Sequence, residues 1–370
     1  MNAPDAPHPA PERPEGPLFS LVMPTYGAEG RIGSAIADLR AQTCPSWELI
    51  VVDDATPDRS IEEARAAAAG DPRIRFAAHE RNRGLSAARN TGLALARGRY
   101  VTFPDPDDRF DADMLQCVEH ALRAHGESDL AVFGHVQEHY DADGAFLYAV
   151  PLAPDPGFWE GDALRHQVLP LEQSTHLGYA WNKMFRRKLV LQLGLTFEDD
   201  APLIEDLLFT AAFLPAIQSL TCIDAVPYRY AKRLGGNLTN EFVPRYYELH
   251  RRRISVLHDL LERWGILDRK AESVLGALLG RYALSALERN CALQAGLSHA
   301  GRVRFCRSMM DDPLFVSLIQ AAQADSSRSL AICLAALKLR RPSVALALGR
   351  AIHLVRGRST ALYAKAKAGR

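Results

Sequence analysis

The chain has no charge of one sign to spare: its 370 residues carry 44 Lys and Arg against 44 Asp and Glu. A neutral total disfavours the general polyanion grip of nucleic-acid binders, so no nucleic-acid partner is expected and any charge asymmetry is local. Cysteine is sparse. Cys44, Cys117, Cys222, Cys291, Cys306 and Cys333 stand far apart, with no Cys-x-x-Cys and no Cys/His spacing suited to zinc, and they read as reduced thiols of a cytoplasmic protein. No apolar run is clean enough for a membrane span, because the stretch from Leu330 to Leu348 is broken by Lys338, Arg340 and Arg341. The N-terminus has six prolines in its first seventeen residues and no apolar signal-peptide centre, so a disordered tail is expected over 1–17. Without export, the acceptor triplet Asn237-Leu238-Thr239 carries no meaning. Phosphate-binding signatures are missing too. No strand is followed by Gly-x-Gly-x-x-Gly, which excludes a dinucleotide-binding dehydrogenase. Pro24-Thr25-Tyr26-Gly27-Ala28 is not the Gly-rich, Lys-bearing loop a nucleotidyltransferase would place after its first strand.

What is present is a core-forming sequence, 48% hydrophobic, long enough for two or three domains. From Leu18 to about Phe133, short β-rich runs alternate with helical patterns, the signature of parallel strands joined by crossover helices. The pattern predicts strands over Phe19–Met23, Glu48–Val52, Ile74–Ala77 and Tyr100–Phe103, the first ended by Pro24. Helices are predicted over Arg31–Gln42, Ser60–Gly70 and Leu85–Arg97, the last stopped by Gly98. Further strands are expected near Leu130–Val136 and Ala145–Val150, and a helix from about Ile204. The expected fold is α/β, a mainly parallel mixed sheet flanked by helices over 18–240, divided into halves at about 125, with an all-helical module over 241–370.

Three predicted strand ends carry chemistry. They lead into Pro24-Thr25-Tyr26, into Asp53-Asp54, and into Asp105-Pro106-Asp107-Asp108. Ligands of open α/β sheets bind outside the carboxyl ends of the strands. A carboxylate cluster there suits a hard divalent cation that neutralises a diphosphate, although an Asp-x-Asp triplet by itself is more often a solvated turn. Taken in order, Ser20–Tyr26, Leu49–Asp54, Gly84–Gly92 and Gly98–Asp108 resemble the family-two inverting glycosyltransferases of the GT-A (Rossmann-like) fold, and the resemblance spans about residues 18 to 235. It implies a nucleotide-sugar donor, UDP being the commonest carrier, a Mg2+ or Mn2+ ion, and a carbohydrate or glycopolymer acceptor of the kind built into bacterial capsules and teichoic-type polymers. It implies Asp107 as metal ligand, Asp105 near ribose and diphosphate, Asp54 (with Asp53) at the nucleotide base, and Pro24, Thr25 and Tyr26 packed around that base. The chain departs from the family pattern at Gly27, Ala55 and Pro106.

Arg89 and Asn90, on the helix from Leu85, and more loosely Arg83, either reach the donor's phosphate or sugar or, in the case of Arg89, pair with a strand-end carboxylate. In Leu203-Ile-Glu-Asp-Leu-Leu-Phe209 two carboxylates enter an apolar segment, where burial raises a pKa toward a useful base value. The resemblance assigns Asp206 as catalytic base, with Glu205 shaping the site. Trp181, Asn182 and Lys183 are candidate acceptor contacts, a stacking ring beside two hydrogen-bonding groups, or equally an amphipathic strand whose rings are core. Tyr228 to Arg233, near the Gly235-Gly236 turn, read as a loop that closes over the diphosphate or as a solvated basic loop. From Ala331 on there are nine Lys or Arg and no acid, alongside apolar helical faces. Such an end rests on an anionic membrane at the inner face, docks on a partner, polymer or second copy, or is a plain helical cap. The non-enzymatic alternative is a catalytically silent scaffold or glycan-binding subunit with the same fold.

Overall fold

The computed structural model describes residues 16–141, 143–233, 243–324 and 327–358. All but the last two residues of the expected proline-rich tail, the Gly235-Gly236 turn, the Asn237–Thr239 triplet and the end of the basic tail lie outside the described residues. The first half runs β1 (Phe19–Thr25), α1 (Ile32–Arg40), β2 (Trp47–Asp53), α2 (Ser60–Ala68), β3 (Ile74–Ala78), α3 (Leu85–Leu95), β4 (Tyr100–Thr102), β5 (Arg109–Phe110) and α4 (Met114–Ala124). Then come β6 (Leu130–Tyr140), β7 (Phe146–Leu152), β8 (Gly157–Glu160), α5 (Gly161–Arg165), α6 (Val168–Gln173), β9 (Lys183–Arg186), α7 (Arg187–Gln192), α8 (Glu205–Phe213) and β10 (Ser219–Arg233). The rest is helical: α9 (Tyr246–Arg263), α10 (Arg269–Arg289), α11 (His299–Asp311), α12 (Pro313–Ala321), α13 (Arg328–Lys338) and α14 (Pro342–Arg358).

These strands form one sheet ordered β3-β2-β1-β4-β9-β6-β10-β5, with β7 on β6 and β8 on β10. The first four are parallel, and strand order reverses around β1, which lies between β2 and β4. A crevice therefore opens at the carboxyl ends of β1 and β4. β9 enters antiparallel between β4 and β6, and β6 and β10 are again parallel. Both faces are covered, which is why β1 and β2 are nearly continuous apolar runs rather than alternating ones. Phe19, Leu21 and Met23 face the core shared with α1 and α4, while Val22, Ile50 and Val52 face the core shared with α3, α8 and the C-terminal helices. Gly92 lets α3 lie on β1, since a Cβ there would meet Val22 Cγ1 at 2.2 Å.

Two of the boundaries that differ from expectation do so for clear local reasons. β1 runs through Pro24 to Thr25, whose carbonyl accepts from Asp54 N (3.0 Å). α3 stops at Leu95 because Arg97 N donates to Glu48 Oε1 (2.6 Å) and Gly98 N to Ser20 Oγ (2.7 Å), drawing this segment into the sheet. The C-terminal helices share the larger core with the sheet. They are also joined to it by a buried, bidentate pair from Arg253 on α9 to Glu172 on α6 (2.9 and 2.7 Å). Around α10, small residues admit close packing: Gly276 meets the Leu318 backbone and Gly280 meets Leu334.

Candidate active site

Beyond β4, Phe103 is wholly buried against Phe197 (4.8 Å between centroids) and Phe209 (5.7 Å), and this anchors the start of the acidic loop. Asp108 turns inward. Its Oδ2 accepts from the Tyr228 hydroxyl (2.6 Å) and its Oδ1 from Ala231 N (2.9 Å), while Asp105 N donates to Tyr228 Oη (3.2 Å). Burial, with Asp107 and Asp105 beside it, holds the Asp108 carboxyl well above its ordinary range. Asp107 points the other way, its Oδ2 accepting from Arg233 Nη1 (2.9 Å). Asp105 Oδ1 lies 3.6 Å from Arg89 Nη2. Burial pushes Asp105 up to about 7 although Arg89 pulls it down, with Asp107, Asp206 and Glu205 adding to the rise.

Opposite this loop, α8 begins at Glu205 with no side-chain cap, so Glu205 and Asp206 occupy its first turn, where the helix dipole favours carboxylates. The buried guanidinium of Arg89 joins the two walls. Its Nη1 donates to Asp206 Oδ1 (2.5 Å) and lies 3.4 Å from Glu205 Oε1. Asp206 Oδ2 accepts from Ala180 N (2.9 Å), so both of its oxygens are engaged. Glu205 Oε2, by contrast, is buried with no hydrogen-bond partner among the described residues. Burial, then the neighbouring Asp206, raises Glu205 to about 7 against the pull of Arg89. Glu205 also lines a pocket of about 270 Å³ between the starts of α3 and α8, with Arg83, Ser86 and Leu203.

Several sequence expectations are corrected by this geometry. Asp54 is engaged within the fold: its Oδ1 by His79 Nδ1 (2.6 Å) and Arg83 N (2.8 Å), and its Oδ2 by Gly84 N (2.7 Å), so it folds the turn that starts α3. Asp53 accepts from Thr56 N (2.9 Å). Pro24 and Thr25 are buried, and only Tyr26 of that trio presents its ring to solvent at the crevice edge. Asn90 exchanges two 2.8 Å hydrogen bonds with the Phe197 backbone, and Arg89 is committed to carboxylates, so neither side chain is offered to a donor here. Arg83 is exposed at the pocket rim. Trp181, Asn182 and Lys183 are interior. Trp181 lies between Tyr179 (4.6 Å) and Tyr228 (4.4 Å), and Lys183 Nζ donates to the carbonyls of His176 and Tyr179 (both 2.5 Å). Burial brings that ammonium down to about 7. Tyr228 to Arg233 are strand, not loop. Sequence reasoning missed His79 and Phe197; only the position of His79 two residues beyond a predicted strand end hinted at its role.

The oxygens of Asp105 and Asp107 are hard ligands in a carboxylate excess that Arg89 and Arg233 balance incompletely, which suits a divalent cation. His258, Asp259 and Glu262 also gather ligand atoms within 4.8 Å, but mostly on the exposed surface of α9.

Residues 20–194 match the model of glycosyl transferase family 2. The chain is 31% identical over 214 residues to the uncharacterized glycosyltransferase EpsJ of Bacillus subtilis, covering 58% of this chain and 61% of EpsJ. It is 37% identical over 100 residues to the putative teichuronic acid biosynthesis glycosyltransferase TuaG of the same organism, covering 27% of this chain and 40% of TuaG. The chain thus spans less than two thirds of either relative. Among solved structures, residues 1–349 of S. aureus TarS share the fold at a TM-score of 0.59 and 16% identity, with 91% of each chain covered. That likeness is to the GT-A arrangement, sheet and following helices together.

Proposed function

With residues 20–194 matching the model of glycosyl transferase family 2, we propose that this protein is a member of that family and transfers a sugar from a nucleotide-sugar, UDP-linked, to a carbohydrate or cell-envelope glycopolymer acceptor, with inversion at the anomeric carbon and with Mg2+ or Mn2+ bound. The observation that carries the reading is the convergence of Asp105, Glu205 and Asp206 around one buried arginine at the carboxyl edge of the sheet, with Asp107 beside them on Arg233. TarS has been solved with UDP and with UDP-GlcNAc, which supports a UDP carrier here. The name of TuaG supports an envelope polymer. Nucleotide-sugars are cytoplasmic metabolites, so the reaction belongs on that side of the envelope.

In this reading Tyr26 stacks on the nucleotide base, and Asp105 and Asp107 hold the cation, which when bound stabilises the charge growing on the departing diphosphate. The proton of the acceptor hydroxyl goes to the acid pair at the start of α8. Asp206 keeps the family's base position, but its two oxygens already hold Arg89 and Ala180 N, so Glu205 Oε2 is the atom ready to accept a proton. A base on the face opposite the leaving diphosphate gives one in-line displacement, hence inversion. With Trp181 to Lys183 interior, the acceptor runs past the β6–β7 hairpin. There Arg233 lies over the Tyr140 ring (5.6 Å) and Tyr140 meets the exposed Phe146 (5.9 Å), a strip of ring faces leading away from Asp107.

A thermal-shift panel of UDP, GDP, CDP and dTDP, each with and without Mn2+, tests the donor part. One metal-dependent stabilisation is expected, absent in Asp107→Ala. No shift with any nucleotide would favour the silent-scaffold alternative.

A further inference from the structure

The neutral total of the chain conceals a segregation of charge. Ten of its 44 Lys and Arg, and none of its 44 Asp and Glu, lie from Arg328 onward, so the residues before Arg328 carry a net charge of −10. The described part of this basic end is α13 and α14, packed against one another and onto α10. Their inner faces are ordinary core: Leu330, Leu334, Leu337 and Ala345 are buried, and Gly349 lets α14 approach the Leu287 carbonyl of α10.

The outer faces are not ordinary. On α13 and at its end, Arg328, Ile332, Ala335 and Leu339 recur at helical spacing and are all exposed; on α14, Ala347, Arg350, Ala351 and Leu354 do the same, with Val355 beside them. Ile332, Leu339, Leu354 and Val355 are each more than half exposed. A surface helix that has already buried one apolar face normally turns polar groups of both signs to water. These helices instead present large aliphatic side chains among cations, with no carboxylate along either.

We propose that the outer faces of α13 and α14 are a docking surface for an anionic phospholipid bilayer. The aliphatic side chains enter the headgroup boundary, and Arg328, Arg341 and Arg350 meet lipid phosphates. No helix among the described residues is long and apolar enough to cross a membrane, so the contact is with the surface. The acidic remainder of the chain is repelled by the same surface, so the charge segregation orients the molecule as well as attracting it. A second copy of this chain is disfavoured as occupant because it would set two such cationic faces together. An anionic glycopolymer would satisfy the arginines but leave the aliphatic side chains in water. The inference does not depend on the sugar-transfer reading.

The test is flotation of the full-length protein with phosphatidylcholine vesicles, with and without phosphatidylglycerol, at low and high salt. The protein is expected to float only with phosphatidylglycerol and to be released by salt. Both Arg341→Gln/Arg350→Gln and Ile332→Ser/Leu354→Ser should weaken binding by about tenfold or more, each arginine contributing about fivefold at the surface. Unchanged melting temperatures would show that the exposed substitutions leave the fold intact. Equal flotation with pure phosphatidylcholine, no flotation at all, or indifference to Ile332→Ser/Leu354→Ser would overturn the proposal. So would a dimer in sedimentation that these substitutions dissolve.

Discussion

At the scale of single residues, the site is organised by Arg89, a buried cation facing Asp206, Glu205 and Asp105 from one position. Replacing it by Met leaves those carboxylates without their counter-charge, and a loss of about 3–5 kcal/mol of stability is expected in urea denaturation. The carboxylates themselves were legible in the sequence, because acidic residues at strand ends and at a helix start stand out from apolar surroundings. Their engagements were not legible: Asp53 and Asp54 are adjacent and alike, and only the path of the 79–84 turn decides that Asp54 is consumed by backbone amides. Glu205 gives the pH prediction. Its folded pKa is raised to about 7, so its stabilising proton is fully bound below its unfolded value of about 4.5 and is lost as pH rises through about 7. Glu205→Gln should therefore raise the melting temperature at pH about 8 and leave it nearly unchanged at pH about 4.5. Transfer by the wild type should rise with pH through about 7, since the accepting carboxylate must be free of its proton. A flat profile there would remove Glu205 from that role.

Secondary-structure elements divide into a legible half and a hidden one. β1 to β4 and their helices could be read because strands buried on both faces, with punctuating Gly and Pro, are distinctive over short windows. The second half resists because β9 is inserted between β4 and β6 by tertiary contacts that no local pattern announces. The segment Trp181–Lys183 shows the cost: its side chains suit a sugar, yet stacking of Trp181 on Tyr179 and Tyr228, and the bonds of Asn182 and Lys183 to backbone carbonyls, take them into the interior. Backbone requirements are sharper. Ala55, where glycine is frequent in the family pattern, adopts φ 54, so Ala55→Gly should stabilise by up to about 1 kcal/mol. Gly92→Ala should destabilise by about 1–3 kcal/mol, because its Cβ has no room beside Val22. Both are measurable in the same denaturation series. On the hairpin, Phe146→Ala should raise KM for the acceptor while leaving the UDP-induced thermal shift unchanged. A changed donor affinity would move Phe146 out of the acceptor path.

At the scale of the whole molecule, the C-terminal helices share the larger of the cores with one face of the sheet and brace it, and the Arg253–Glu172 pair carries that brace to the segment holding Ala180 against Asp206. Composition could announce the core and the helical end, but a neutral sum could not show that the charge is segregated along the chain. The account as a whole rests on a cation and a nucleotide diphosphate meeting at Asp105 and Asp107. Calorimetric titration of UDP into the wild type and into Asp107→Ala, each with and without Mn2+, tests this most directly. The account predicts that Mn2+ tightens UDP binding to the wild type by tenfold or more, about 1.4 kcal/mol, and does nothing for Asp107→Ala. Equal Mn2+ dependence in both proteins, or UDP binding indifferent to Mn2+, would contradict it.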